Sequence, residues 1–261
     1  MQIVVLAKPV PDTTGQERLG ADGRLDRAAV PAVVNANDEY ALEAALKLVE
    51  ADPAGGEVTL LSMAPASAPE TLRKALAMGA TRGVLVTDPS LEGSDALSTA
   101  RVLAAALRTL TYDLVIAGAD TSDGGGGIVA AAVATILGLP YLSYAARIEP
   151  ADGRVRVRRL APTGYDLIEA PMPALVVATQ ALGEPRYPSL KGIMGARTKE
   201  IASLALGSLD LGGTAVGGAV ATTRLAGSRT PPARGATQVV RAPAADAAKQ
   251  VVDFLQARRI L

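Results

Sequence analysis

Residues 113–137 read Asp113-Leu-Val-Ile-Ala-Gly118-Ala-Asp-Thr-Ser-Asp123-Gly-Gly-Gly-Gly127-Ile-Val-Ala-Ala-Ala-Val-Ala-Thr-Ile-Leu137. Leu114 to Ala117 has the unbroken apolar character of a strand buried on both faces. A polar turn follows, then four consecutive glycines, then an Ala-rich helical segment ending at Gly138-Leu139-Pro140. The order is informative because the first amides of a helix lack intrahelical partners and sit at the positive end of its dipole. Glycines without Cβ atoms let an anion approach those amides closely. The segment therefore proposes a nucleotide phosphate outside the carboxyl end of a parallel strand. Its spacing matches neither the P-loop nor the dinucleotide fingerprint, and a flexible Gly linker is the competing reading.

Working outward, strand and helix patterns alternate. Ile3 to Ala7, Val58 to Ser62 and Gly83 to Thr87 read as strands. Between them, Asn37 or Asp38 is placed to cap a helix through Ala41, Leu42, Ala45, Leu46 and Val49. Pro69-Glu70 opens a helix stopped by Gly79, and Ser94 or Asp95 caps a helix beginning at Ala96. Four strand–helix units in succession predict an α/β fold, a mostly parallel sheet with helices on both faces. Right-handed crossovers would bring the loops at Lys8, Met63 and Gly118 to one rim.

Past residue 140, Tyr141 to Glu149, Arg154 to Leu160 and Tyr165 to Glu169 read as a small antiparallel ribbon. Arg154, Arg156 and Arg158 would then lie on its solvated face. Ala174 to Thr179 reads as a final core strand. Residues 207–235 are rich in Gly, Ala, Thr and Pro and read as an extended arm. A closing helix from Ala244 to Arg259 carries an apolar stripe of Val251, Val252 and Leu255, to be covered by another chain or by its own domain.

Composition narrows the chemistry. The 261 residues include 26 basic and 26 acidic side chains, so no global charge favours nucleic acid or a membrane surface. Aromatic residues make up only 3%, which argues against base-stacking platforms. There is no His and no Cys, which removes thiolates, imidazole bases and most zinc or iron sites. A binding or carrier protein is favoured over a catalyst. Gln2 to Ala7 is too short and lacks the basic leader of a secretory signal, so a cytoplasmic location without membrane insertion is expected.

Several stretches together resemble the beta subunit of the electron transfer flavoproteins, in its actinobacterial form. They are Val4-Val5-Leu6-Ala7-Lys8-Pro9-Val10-Pro11-Asp12, Asn35 to Ala44, Leu76-Ala77-Met78-Gly79-Ala80, the Ser122-Asp123-Gly124 turn, and Glu184-Pro185-Arg186-Tyr187-Pro188-Ser189-Leu190-Lys191-Gly192-Ile193-Met194. The resemblance spans about residues 2–200. It implies an adenine-nucleotide-hydrolase-like domain that buries a structural AMP, in a heterodimer whose alpha subunit holds most of the redox-active FAD.

Carried over by position, the AMP contacts fall at Leu6, at Asn35, Ala36, Asn37 and Asp38, at Met63, and along Gly118, Ala119, Asp120, Thr121, Ser122, Asp123, Gly124, Gly125, Gly126, Gly127, Ile128 and Val129. Leu6 and Met63 would pack on adenine, with simple core packing the equal alternative for Met63, while Asn35 and Asp38 would meet ribose or adenine edges. Asp123, repelled by a phosphate, would cap the helix or meet a ribose hydroxyl. Residues 184–197 correspond to the family's recognition loop. Leu190 matches its apolar anchor, Tyr187, Lys191, Ile193 and Met194 lie around it, and Arg197 and Lys199 would complete a basic rim. An ordinary surface helix with Leu190 turned inward is the alternative.

The implied role is a carrier subunit without catalytic residues of its own. It would help pass electrons from flavin dehydrogenases, such as acyl-CoA dehydrogenases of fatty acid β-oxidation, towards a membrane quinone reductase. The expected organisation is a nucleotide-binding domain over 1–206 and an arm with a C-terminal helix over 207–261 packed on the alpha subunit. Some relatives' phosphate-binding Thr or Asn-Gln-Thr is replaced here by Gly126 to Val129, a flavin-contacting Tyr by Thr13, and a flavin-side Glu by Leu160. Two rival readings remain: a bifurcating form with a second FAD in place of AMP, and a free-standing ATP-binding regulatory module.

Overall fold

The computed structural model describes residues 1–15, 18–229, 232, 235 and 237–261. Its first compact unit runs from Met1 to Ala226 and its second from Gly227 to Leu261. The first unit is built on β1 (Gln2–Leu6), β4 (Glu57–Met63), β5 (Arg82–Val86), β6 (Leu114–Gly118) and β10 (Ala174–Ala178), whose apolar runs leave both faces to be covered. Three further strands, β7 (Tyr141–Ala151), β8 (Arg154–Ala161) and β9 (Gly164–Pro171), extend one side, and β11 (Ile201–Leu204) the other. The order across the sheet is β11-β5-β4-β1-β6-β10-β7-β8-β9. Neighbours from β11 to β7 are parallel; β7, β8 and β9 are antiparallel.

Alternate residues along each central strand serve opposite layers, as the period of two requires. Ile3, Val5, Leu60, Leu114, Ile116 and Val176 pack with α1 (Ala36–Ala51) and α2 (Ala68–Met78). Val4, Leu6, Leu61, Val115, Ala117 and Val177 pack with α3 (Ala96–Leu107) and α4 (Val129–Leu137). The α/β sandwich read from the sequence is therefore the fold.

Four details differ from that reading. Ala174 to Thr179 is not the last core strand: β10 inserts between β6 and β7, and β11 adds a parallel edge beside β5. The antiparallel ribbon continues the main sheet, because β7 pairs with β10 along its first half and with β8 along its second. A separate two-stranded sheet joins β2 (Pro9–Pro11) to β3 (Ala32–Val34), hidden in the sequence by its shortness and its prolines. Residues 207–226 belong to the first unit: the Asp95 carboxylate, while capping α3, also accepts from the Thr222 and Thr223 amides at 2.7 and 3.1 Å.

The second unit contains α6 (Ala244–Ala257), on which Val251, Val252 and Phe254 are exposed. Arg258 lies 4.3 Å from the Phe254 ring centre.

In the first unit, α5 (Leu190–Ala196) rests on α2. A cation from α2 caps the C-terminal end of α5, and one from the segment after α5 caps that of α2. The Arg73 guanidinium donates to the Ala196 carbonyl at 2.7 Å, and the Lys199 ammonium to the Leu76 and Ala80 carbonyls at 3.0 and 2.6 Å. Cations are favoured at such ends because the last carbonyls are unpaired and the dipole is negative there. Gly192 sits where the helices approach most closely; a Cβ there would collide with the Ala77 carbonyl oxygen. Gly192→Ala is therefore expected to destabilise the protein by about 1–3 kcal/mol, outweighing the ~1 kcal/mol gain in helix propensity. Chemical denaturation of both forms measures it, and a stabilised variant would contradict this packing.

Candidate functional site

The chain leaves β1 towards β4 and β5 on one side, then returns to β6 on the other. Between β1 and β6 the winding reverses, and the crevice outside the carboxyl ends of strands at such a point is where α/β sheets take ligands. Leu6, Met63 and Gly118 end three adjacent strands at this rim. Leu6 is buried, and Met63, Ala119 and Val129 pack partly buried on the same apolar cluster. The side chains proposed to meet an adenine thus form one apolar wall.

The first turn of α1 ties the rim together. Asn35 is the N-cap residue of α1, yet its side chain makes no cap hydrogen bond. Its Nδ2 donates to the Asp120 carbonyl at 2.8 Å, and its Oδ1 accepts from the Ser122 amide at 3.3 Å. Asn37 Nδ2 donates to Asp120 Oδ1 at 2.6 Å. Asp38 Oδ2 accepts from the Lys8 amide at 2.8 Å. The helix begins at Ala36, ahead of the predicted caps Asn37 and Asp38. Asn35 and Asp38 are both buried and hold the loops after β1 and β6, so their polar atoms are committed to protein partners. Gly118 allows this closeness: a Cβ there would run into the Asp38 carboxylate and the Asn37 backbone.

Burial pushes the Asp38 carboxyl up to about 7, against the lowering effect of hydrogen bonds from the Lys8 amide, the Asn35 side chain and the Gly118 amide. Between the ordinary carboxylate range and pH 7, folded protein holds a proton that the unfolded chain has lost. Stability contributed at this site is therefore greatest in acid, falls as pH rises to 7, and is level above it.

The glycine run follows. Gly124 and Gly125 both donate to the Thr121 carbonyl, at 3.2 and 2.7 Å, closing a turn. The amides of Gly126, Gly127 and Ile128 have no protein partner among the described residues and are exposed. Gly125 and Gly127 adopt left-handed φ of +55° and +61°, which favours glycine. Gly126 needs no such conformation, and nothing lies within 4 Å of a Cβ placed on it.

Asp123 does not cap α4. Its side chain is 1% exposed and lies between two cations, Lys8 Nζ at 2.8 Å and Arg27 Nη2 at 2.9 Å. Burial alone would raise its carboxyl; Lys8, with Thr121 and Arg27, holds it below the usual range. The sequence reading missed both cations as site residues. Lys8 carried a signal, being the first charge after the central strand, whereas Arg27 lies in a segment without periodicity.

The second predicted site lies apart from the crevice. Tyr187 is 95% and Leu190 75% exposed, and Ile193 and Met194 are exposed beside them, so Leu190 is not turned inward. The segment is held from behind. Arg186 reaches α1, with Nε 2.8 Å from Glu43 Oε2 and Nη1 2.5 Å from Glu50 Oε1. The Ser189 side chain caps α5 by accepting from the Gly192 amide at 3.0 Å. Lys191 and Arg197 are exposed, but Lys199 serves the α2 terminus and is no part of a basic rim.

On the ribbon, Arg154 and Arg156 pair with Glu169, and Arg158 lies 5.3 Å from the Tyr165 ring centre. This is the solvated charged face expected of it. Thr13 and Leu160 are both exposed. Among the described residues no helix is long and apolar enough to cross a membrane, and no carboxylate cluster could hold a metal ion.

The chain thus combines a mostly parallel α/β unit, a glycine run beside its winding reversal and an exposed apolar segment on a short capped helix. The electron transfer flavoprotein domain model matches residues 22–209, and the chain belongs to the electron transfer flavoprotein beta-subunit family. The beta subunit from Mycobacterium tuberculosis strain H37Rv is 39% identical over 264 residues, covering 99% of both chains. That from Clostridium acetobutylicum is 36% identical, covering 98% of both. The caffeyl-CoA reductase-Etf complex subunit CarD of Acetobacterium woodii is 35% identical, covering 92% of both.

The rim geometry carries one quantitative expectation. Asp38→Asn removes the titrating group, so the loss of stability between about pH 4 and pH 7, of order 1 kcal/mol per pH unit, should flatten. Urea unfolding at a series of pH values measures it, and an unaltered slope in the variant would assign that dependence elsewhere.

Proposed function

We propose that this chain is the beta subunit of an electron-carrying heterodimer, that it pairs with an alpha subunit holding FAD, and that its own crevice holds AMP as a structural ligand. The observation that carries the nucleotide assignment is the set of amides at Gly126, Gly127 and Ile128 that have no protein partner among the described residues, in the segment leading from β6 to α4, together with the apolar ends of β1 and β4 at Leu6 and Met63. Amides at a helix entrance attract a phosphoryl group, and the wall suits an adenine ring. The remaining family positions, Asn35 to Asp38 and Gly118 to Val129, form the frame around this space. Asn35 and Asp38 act by shaping it, since their polar atoms already bond to the protein.

The chain performs no redox step itself. FAD, when bound to the alpha subunit, supplies the electron chemistry. The exposed cluster of Tyr187, Leu190, Ile193 and Met194, with Lys191, docks flavin dehydrogenases; acyl-CoA dehydrogenases and a membrane quinone reductase are the proposed donors and acceptor. An apolar anchor presented on a clamped helix suits transient docking, because little ordering entropy remains to be lost on binding. The second unit with α6 is assigned to the alpha subunit, since α6 exposes Val251, Val252 and Phe254, and the complex is placed in the cytoplasm.

A second reading is favoured by the relationship to CarD, a subunit named for its complex with a caffeyl-CoA reductase. There the crevice would hold a second FAD, which shares the adenosine and phosphate portions with AMP. One flavin and one AMP per purified heterodimer support the first reading; two flavins support the second.

Gly126→Val tests the phosphate site cleanly, because the position has room for a side chain and no left-handed backbone. The variant should fold and assemble with wild-type stability yet retain much less AMP after purification. Full retention, measured by chromatography of the denatured extract, would count against this placement. Leu190→Ala should slow reduction of the heterodimer by a partner dehydrogenase roughly ten-fold or more, the cost of removing a docking anchor. Heterodimer assembly should be unaffected; its failure would place the segment in the subunit interface.

A further inference from the structure

Arg27, which lies in the chain between β2 and β3, reaches the turn before the glycine run. Lys8 arrives there from the end of β1. The two cations share one buried carboxylate, Asp123, so the cluster carries a net positive charge. Neither cation is spent. Lys8 Nζ donates to Asp123 at 2.8 Å and to Thr121 Oγ1 at 3.4 Å, which leaves one of its three protons without a protein acceptor among the described residues. Arg27 turns Nε and Nη2 towards Asp123, each 2.9 Å away, which leaves its Nη1 edge uncommitted. Lys8 Nζ also lies 3.9 Å from where a Cβ on Gly124 would stand, so its charge sits against the glycine backbone itself.

One cation is enough to neutralise the buried Asp123 carboxylate, so the second leaves a positive charge over at a half-exposed position. Their placement has another consequence. A phosphoryl group meeting the free amides at Gly126 to Ile128 would find Asp123 already neutralised and two charged donors beside it. We propose that Lys8 and Arg27 are the cationic side chains of the phosphate site, and that Asp123 is the positioning residue that holds both towards it. The ligand class is an adenine nucleotide whose phosphoryl group provides a large share of its affinity. This rests on the nucleotide reading above and names the side chains that recognise its charge.

The test uses the heterodimer with the alpha subunit, denatured to release nucleotide and refolded against increasing AMP or adenosine. Wild type should be half-saturated by AMP at a far lower concentration than by adenosine. Lys8→Met and Arg27→Met should each raise the AMP requirement roughly ten- to hundred-fold, the effect of losing a charge-assisted hydrogen bond, and leave adenosine unchanged. Lys8→Arg should remain near wild type. If Lys8→Met does not refold, Arg27→Met, in an exposed loop, decides alone. Equal loss of AMP and adenosine would make the pair a structural tether and overturn the proposal, as would AMP binding unaltered in both variants. A wild type that takes up AMP no better than adenosine overturns it too, while one that takes up neither removes the nucleotide reading on which it stands.

Discussion

The crevice depends on the first turn of α1 bonding sideways instead of to itself. Helix starts ordinarily spend Asn and Asp side chains on their own unpaired amides. Here Asn35 reaches the loop after β6 and Asp38 the loop after β1, so two rim segments from strands on either side of the winding reversal are fixed to one helix end. The cost is a buried carboxyl at Asp38 and a position, Gly118, that admits no side chain. With those segments fixed, the glycine run has a defined starting point.

Charge is distributed with the same economy. The chain is neutral as a whole, and a few of its cations serve helix ends and one turn. Arg73 and Lys199 occupy the carbonyl ends of α5 and α2. Arg186 joins the docking segment to Glu43 and Glu50 on α1, the helix whose first turn frames the crevice. The exposed apolar side chains around Leu190 are thus presented by a helix fixed on three sides, which suits a surface meant to engage and release different partners under the proposed function.

Much of this was legible in the sequence. The central strands are continuous apolar runs with helix signals between them, so the α/β class followed from periodicity alone. The motif from Glu184 to Met194 marked a distinct segment, which lies on the surface with Leu190 outward. Other features left no local trace. β11 has four residues and β2 contains two prolines, so neither shows a strand pattern. Nothing near Arg27 or Lys199 in sequence announces their partners, Asp123 and the end of α2, because both pairings span about a hundred residues or more. Of the two roles expected of Asp123, the helix cap does not occur, because its neutralising cations come from distant loops. Side-chain destinations of this kind are set by topology, and periodicity carries no information about them.

The account stands on the amides of the glycine run taking up a phosphoryl group. Hydrogen exchange at residues 124–131, followed in the refolded heterodimer with and without AMP, reads those amides directly. Exchange at Gly126, Gly127 and Ile128 should slow markedly when AMP is present, while the amides of Gly124 and Gly125, already bonded within the turn, change less. Identical exchange rates at all of these positions, in a sample shown to contain AMP, would contradict it.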